Sequence, residues 1–450
     1  MTPILTPKEM AAVDAAASEP VDVPVARAGS AVARAARSMM GGTYGRVVNV
    51  IAGKGNNGAD GHVAGTVLAD DGVLVRFFDA ADCPAVLPSS DLVIDAAYGT
   101  GFRGTWAPPN VGGARVLAGD IPSGVDGLTG VAASGALAAE RTVTFAALKP
   151  GLLFGDGPRL AGRVDVVDIG LDVVTAAAHR VQRSDVVGWW RPRSAEAHKW
   201  TRSVRVVAGS SGMTGAAGLS AGAAMRASAG IVWLSSPGVD PSPPVEVVGR
   251  ALPASGWADT VLAELDRFGA LVVGPGLGRA DTMPLDVATV GTGSPVPVLI
   301  DGDGLFAVAH GPNVRDAISR RTASTVLTPH DGEYHTLMGD APGPDRIDAC
   351  RRLAAEWSVV ALLKGPSTVI AEPGGRVLVV DEGDERLATA GSGDVLSGVV
   401  GALIASGLDA FEAAAAAAWI HAAAANALPG DGLVASDLLT SLPGLMESLR

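Results

Sequence analysis

Two glycine-rich stretches carry side chains of types that do chemistry. The later one, Leu387-Ala388-Thr389-Ala390-Gly391-Ser392-Gly393-Asp394-Val395-Leu396-Ser397-Gly398, sets a carboxylate in the first turn of an apolar helix continuing to Ala405. Glycines ahead of a helix leave main-chain N–H groups free to point at a phosphate, and the helix dipole favours negative charge there. The same dipole is expected to keep Asp394 ionised, ready to accept a proton from a substrate hydroxyl beside a phosphoryl group, with the Gly391–Gly393 amides as the oxyanion cradle. The competing reading makes Asp394 an ordinary N-terminal helix residue.

The earlier stretch, Gly53-Lys54-Gly55-Asn56-Asn57-Gly58-Ala59-Asp60-Gly61, contains G-x-G-x-x-G between a strand and a helix. It fits a pyrophosphate turn, with Asp79 at the end of the next strand on a ribose hydroxyl, and equally a tight turn with no ligand. The Asn56-Asn57 pair and Asp60 add side-chain oxygens, which suit a hard cation. Two more polar loops end strands, Asp91 to Gly104 and Asp120-Ile121-Pro122-Ser123-Gly124-Val125-Asp126. In an open parallel sheet the carboxyl ends of strands converge on one crevice, so Asn57, Asp95, Asp120 and Ser123 are expected to meet. A turn cap at Asp95 and a serine turn at Ser123 are the alternatives.

These loops need strands to hold them. β-branched runs alternate with helical stretches: Val47–Ala52, Val73–Phe78 and Leu92–Ala96, then Val204–Ala208, Ala270–Val273 and Val359–Leu363. That alternation predicts α/β architecture with mainly parallel sheets. At 450 residues the chain is about three times a ~150-residue domain. The first series closes on a strand at Gly162–Asp168, and a polar linker over residues 185–197 divides the chain into 1–190 and 191–450. The hydrophobic share of 48% and charged share of 18% exclude intrinsic disorder. A net charge of −13 without a basic stripe disfavours nucleic acid. Cys83 and Cys350 stand far apart with no metal-ligand spacing, so a reducing cytoplasm is expected. The apolar run Ala413–Ala425 is interrupted by His421 and is mostly alanine, and neither a secretion signal nor a membrane span is expected. The general enrichment in alanine and glycine reads as a compositional habit.

Residues 40–170, with the loops above, Thr142-Val143-Thr144-Phe145 and Lys149-Pro150-Gly151-Leu152-Leu153, resemble the NAD(P)H-hydrate epimerase family. The resemblance implies K⁺ held by Asn57, Asp95 and Ser123, and Asp120 as acid/base at the nicotinamide ring. Substrate contacts would come from Asn56, Asn57, Gly58, Ala59, Asp60, Gly99, Thr100, Gly101, Phe102, Arg103, Gly104 and Thr105. Ala59 replaces a glycine usual in that family, and the helix around Val23–Ser38 lacks its Leu-Met-x-x-x-Ala-Gly pattern. Were residue 59 to need a positive φ, its Cβ would cost about 1 kcal/mol or more.

The Gly-Ser-Gly-Asp turn follows the logic of ribokinase-like sugar and vitamin kinases. With His198-Lys199, Ala208 to Ala217, Gly274-Pro275-Gly276-Leu277-Gly278, Asp301-Gly302-Asp303-Gly304-Leu305, Leu327 to Glu333 and Leu363 to Thr368, residues 198–445 resemble the ADP-dependent NAD(P)H-hydrate dehydratase family. The resemblance implies an adenine nucleotide, brought with Mg²⁺, on Lys364, Gly365, Pro366, Ser367, Thr368 and Gly393. Ala217, Gly276, His330 and Asp394 would touch the hydrated dinucleotide. Trp200 stands where a glycine commonly follows His-Lys, and Asp331 where a proline commonly follows His330. Lys364 as a plain strand-end cation and His330 as a helix cap or core residue stay open.

The expected whole is a Rossmann-like parallel-sheet sandwich followed by a ribokinase-like α/β domain. It would be a bifunctional repair enzyme acting on NADHX and NADPHX with ADP, with a homo-oligomer left open. The alternatives are a small-molecule kinase with a nucleotide-binding first half, and a first domain that binds without catalysing. A mixture of hydrate epimers would be repaired fully if both halves work and about halfway if only the second does.

Overall fold

A computed structural model describes residues 1–132, 135–311 and 313–450. It falls into two compact units, Thr2–His179 and Arg180–Arg450, Met1 clustering with the latter. The division lies ahead of the linker expected at residues 185–197. The cause is local: the Val181 amide bonds the Val379 carbonyl at 2.9 Å, and the helix Arg183–Trp189 buries Val186 in the second unit's core.

The first unit is built on a six-stranded sheet in the order Leu74–Asp79, Val47–Ala52, Leu92–Ala96, Arg115–Gly119, Arg141–Phe145 and Arg163–Val167, parallel throughout. Five of the six residues of Val47–Ala52 are buried, as a strand covered on both faces requires. The chain runs from Val47–Ala52 outward to Leu74–Asp79 and then back to the other flank, so strand order reverses between Val47–Ala52 and Leu92–Ala96. That reversal opens a crevice at the carboxyl ends. The helices Asp22–Met40 and Asn56–Asp70 pack on this sheet through small residues: a Cβ added at Gly29 would come within 2.5 Å of Val63, and one at Gly61 within 2.5 Å of Ala96.

In the second unit the sheet runs Val377–Val380, Thr368–Ala371, Val360–Leu363, Thr325–Leu327, Val298–Ile300, Ala270–Val273, Ser203–Val207, Ile231–Pro237 and Val248–Leu252. Pairing is parallel except where Thr368–Ala371 meets its two neighbours. Strand order reverses between Ser203–Val207 and Ala270–Val273. The helix Ser392–Ala405 is buried from Val395 to its end, against Thr214–Arg226 and Ala410–Asn426. A Cβ on Gly398 would lie 2.1 Å from the Ser220 carbonyl oxygen. Glycine at 398 therefore lets the helix that carries Asp394 touch its neighbour backbone to backbone. Among the described residues no helix is long and apolar enough to cross a membrane.

Candidate active sites

In the first unit the crevice widens to a cavity of about 950 Å³ lined by Lys54–Gly58, Asp60, Ala97–Thr105, Asp120 and Lys149, with Asp14 and Met10 from the helix Pro7–Ala15. The helix Asn56–Asp70 begins after Gly55 with no side-chain cap, so its first-turn amides are left for a ligand. Gly58 can only be glycine, because a Cβ there would lie 1.8 Å from the Gly53 carbonyl oxygen. Ala59 is helical, outside the positive-φ residues, so its Cβ brings no backbone strain. Asp79 lies outside the cavity lining and caps the short 3-10 turn Ala80–Asp82, accepting from the Ala81 amide at 2.8 Å.

Asp95 is fully buried at the end of Leu92–Ala96. It accepts from the Ser123 hydroxyl at 2.5 Å, the Ser123 amide at 2.9 Å and the Ala97 amide at 3.3 Å. Burial raises its carboxyl above the ordinary range, and these bonds oppose the rise. Both polar atoms of the Asn57 carboxamide are buried without a hydrogen-bond partner. Its Oδ1 occupies the space beside Gly119, where a Cβ would come within 2.8 Å.

Asp120 follows Arg115–Gly119 with φ 64°, one of five non-glycine residues in the left-handed region among the described residues. It pairs with Lys149 at 2.6 Å and accepts from the Thr100 amide at 3.3 Å. Lys149 is 1% exposed and also donates to the Thr144 hydroxyl at 2.9 Å and the Phe145 carbonyl at 3.0 Å. Burial, and then the charge of Asp120, push Asp60 up to about 8 against the pull of Lys149. A carboxyl raised in this way holds its proton at neutral pH and can act as an acid in the cavity that Asp120 and Lys149 also line.

In the second unit Gly391, at φ 89°, ends the approach to the helix Ser392–Ala405, which no side chain caps. Lys364 lies beside this turn: a Cβ on Gly393 would come within 3.4 Å of its Nζ. Lys364 pairs with Asp301 at 2.7 Å, and the Ser397 hydroxyl donates to the other Asp301 oxygen at 2.6 Å. Burial works against both charges. Even so, Lys364 holds Asp301 below the ordinary carboxyl range, and Asp301 with Glu333 holds Lys364 above the ordinary amine range. Asp394 departs from the expectation of a dipole-stabilised anion. Burial first, then the charge of Asp301, push its carboxyl up to about 7 against Lys364. A base of that pKa is matched to work at neutral pH.

The remaining predicted positions divide. His330 caps the helix Asp331–Met338, its Nδ1 accepting from the Gly332 and Glu333 amides at 3.0 and 3.3 Å, with the ring largely exposed. Asp331 pairs with Arg346 at 2.9 Å, and Arg346 donates to the Lys364 carbonyl at 2.6 Å. Gly276, at φ 58°, faces Met213 and accepts from the Ser210 hydroxyl at 3.0 Å. Ala217 is buried against Gly209 and presents no side-chain surface to a ligand. Gly365, Pro366 and Thr368 line a narrow cleft with Leu387, Leu396 and His421, and Ser367 is buried beside them.

Comparison with known proteins gives this geometry a relation. The family model described as NAD(P)H-hydrate dehydratase matches residues 204–444, more than half of the chain. The model of the YjeF-related protein N-terminus matches residues 23–84 and 78–151. A Mycobacterium leprae protein named bifunctional NAD(P)H-hydrate repair enzyme Nnr is 38% identical over 442 residues, covering 91% of this chain and 89% of its own length. The chain belongs to the bifunctional NAD(P)H-hydrate repair family. A solved Bacillus subtilis ADP/ATP-dependent NAD(P)H-hydrate dehydratase, co-crystallised with ATP/Mg²⁺, is 28% identical with a TM-score of 0.51 over 60% of this chain and 98% of its own. An Enterococcus faecalis ribokinase-like protein at 19% identity and TM-score 0.55, covering 62% of this chain and 99% of its own, shares the fold. A small-molecule kinase with a nucleotide-binding first half is not favoured, since the family accounts for both units.

Lys149, Asp301, Ser397 and Glu333, which had received no role from the sequence, bond to the predicted positions Asp120 and Lys364 or to each other. All lie inside or next to motifs that mark the two units. The signal that could have found them is charge balance: Asp120 and Lys364 each needed a buried partner of opposite sign.

Proposed function

We propose that the protein repairs hydrated nicotinamide dinucleotides, its first unit interconverting the R and S hydrates and its second dehydrating the S hydrate at the expense of ADP. Asp394 carries this reading, as a carboxyl near neutral pKa in the uncapped first turn of a helix, beside a buried Lys364–Asp301–Ser397 network. With Mg-ADP as co-substrate, Asp394 takes the proton of the C6 hydroxyl as that oxygen attacks the β-phosphoryl group. AMP leaves, and the Gly391–Gly393 amides and Lys364 face the transferring charge. The ring nitrogen's lone pair expels phosphate, and loss of the C5 proton restores NAD(P)H. Lys364 to Thr368 and Gly393 would hold the nucleotide, and Gly276, His330 and Asp394 the hydrate.

In the first unit Asp120, fixed by Lys149 and the Thr100 amide, works as base at the nicotinamide ring while Asp60 supplies the proton. The Asn56–Asp60 and Gly99–Thr105 segments would hold the substrate. Asn57, Asp95 and Ser123 would hold K⁺. Their all-oxygen donor set and the unsatisfied Asn57 carboxamide fit a hard cation, which would supply positive charge beside bound phosphate. Neither cysteine is in a disulfide, which suits a cytoplasmic protein.

The test supplies both hydrate epimers with Mg-ADP or Mg-ATP and K⁺, and follows recovery of dihydronicotinamide absorbance. Complete recovery is expected. Arrest near half would remove the epimerase assignment, and no recovery would remove the dehydratase assignment.

A further inference from the structure

A hydrated dinucleotide brings the negative charge of its phosphates to the second unit, where the side chains around Asp394 are mostly acids. Asp301, Asp303 and Glu333 all act on the Asp394 carboxyl in one direction, and Lys364 opposes them. Lys364 is only 21% exposed and is held by Asp301 at 2.7 Å, with Glu333 at 3.9 Å, so its charge is already balanced. A second cation stands at the edge of the same network. The loop 274–278 follows the strand Ala270–Val273 and passes directly over Asp301, since a Cβ on Gly274 would lie 1.8 Å from the Asp301 carbonyl oxygen. At the far end of the loop Gly278, at φ 74°, donates its amide to one Asp303 oxygen at 2.8 Å, and Arg279 Nε donates to the other at 3.2 Å. The guanidinium also lies over the Phe306 ring, 4.5 Å from its centroid, and that ring packs in turn against His310 at 4.1 Å.

These two contacts fix where the guanidinium sits, yet the Arg279 side chain stays 64% exposed. A planar fork anchored through its inner nitrogen and open at its outer edge is suited to grip a phosphate by two parallel N–H bonds. We propose that Arg279, positioned by Asp303, binds a phosphate group of the hydrated dinucleotide and sets the preference of the second unit for phosphorylated over phosphate-free hydrates. This deepens the dehydration reading and rests on it. The pyrophosphate and the 2′-phosphate of the NADPH hydrate offer the same chemistry, and the choice of substrates separates them.

Steady-state dehydration by the full chain tests it, with Mg-ADP and the S hydrates of NADH, NADPH and reduced nicotinamide riboside, the last without phosphate. One charge-assisted contact of this kind corresponds to about 10–100-fold. The wild type is expected to favour a phosphorylated hydrate over the riboside hydrate in kcat/KM, and Arg279→Ala to shrink that ratio by at least about tenfold, through the KM of the hydrate. Arg279→Lys, which keeps the charge and loses the fork, should recover part of the ratio. A loss common to the NADH and NADPH hydrates assigns the pyrophosphate, and a loss confined to the NADPH hydrate assigns the 2′-phosphate. Ratios equal in wild type and Arg279→Ala overturn the proposal. So does an equal loss on the riboside hydrate, which has no phosphate to release and would mark Arg279 as structural, and so does a rise confined to the KM of Mg-ADP. Should Arg279→Ala not fold, Arg279→Gln, which keeps a stem over Phe306, takes its place with the same expected and overturning results. Failure of the wild type to dehydrate any of the three would instead overturn the dehydration reading, and this assignment with it.

Discussion

Replacing Asp394 by asparagine should remove dehydration and at the same time make the second unit more stable, in a pH-dependent way. The folded carboxyl titrates at about 7, against 3.8 for an ordinary aspartate. Its folded pKa is raised, so the folded state holds the proton more tightly than the unfolded one, and ionisation on the way from acid to neutral pH destabilises the fold. The full separation corresponds to about 4 kcal/mol at 1.36 kcal/mol per decade. Asp394 keeps some contact with solvent, and screening reduces the expected effect to about 1–3 kcal/mol. The penalty is absent below pH about 4, grows up to about 7 and levels off above it. A carboxamide, neutral at every pH, escapes it. Urea unfolding of wild type and Asp394→Asn at several pH values, followed by tryptophan fluorescence, should show a gap that opens with rising pH. Turnover of the S hydrate should fall about 100-fold or more. A pH-independent gap, or undiminished turnover, would refute the assignment of Asp394 as a buried base.

Three further outcomes are expected. Asp120→Asn should stop epimerisation while leaving dehydration intact, so that a mixture of epimers halts near half recovery. Because Asp60 is protonated below about 8, epimerase activity should decline as pH rises past that value. Asp60→Asn, unable to ionise or to act as an acid, should show low activity without that alkaline limb, and an unchanged limb would assign it to another group. Ser123→Ala withdraws the hydroxyl from buried Asp95 and should lower the stability of the first unit by about 1–3 kcal/mol, read as a drop in its unfolding midpoint.

Much of the scaffold was legible because parallel strands buried on both faces leave a plain mark. Val47–Ala52, Leu92–Ala96 and Ala270–Val273 have the ends that their β-branched runs predict. The glycine turns were legible for a related reason, since Gly58 and Gly391 sit where a side chain would collide or strain the backbone. Long-range partners were not. Ser397 meets Asp301 across 96 positions and Lys364 meets it across 63, and nothing local announces either pair. The ionisation of Asp394 was misjudged because a helix dipole can be read from one segment, whereas desolvation depends on what several segments bury together.

The left-handed backbone at Asp120 narrows what position 120 can become. Glycine, asparagine and aspartate tolerate that geometry, whereas a branched residue would have to bend the chain. A descendant that abandoned the first reaction but still needed the second would therefore keep one of those three there. Asparagine or glycine at that position, over an otherwise intact strand, would be the residue-level trace of a lost isomerase.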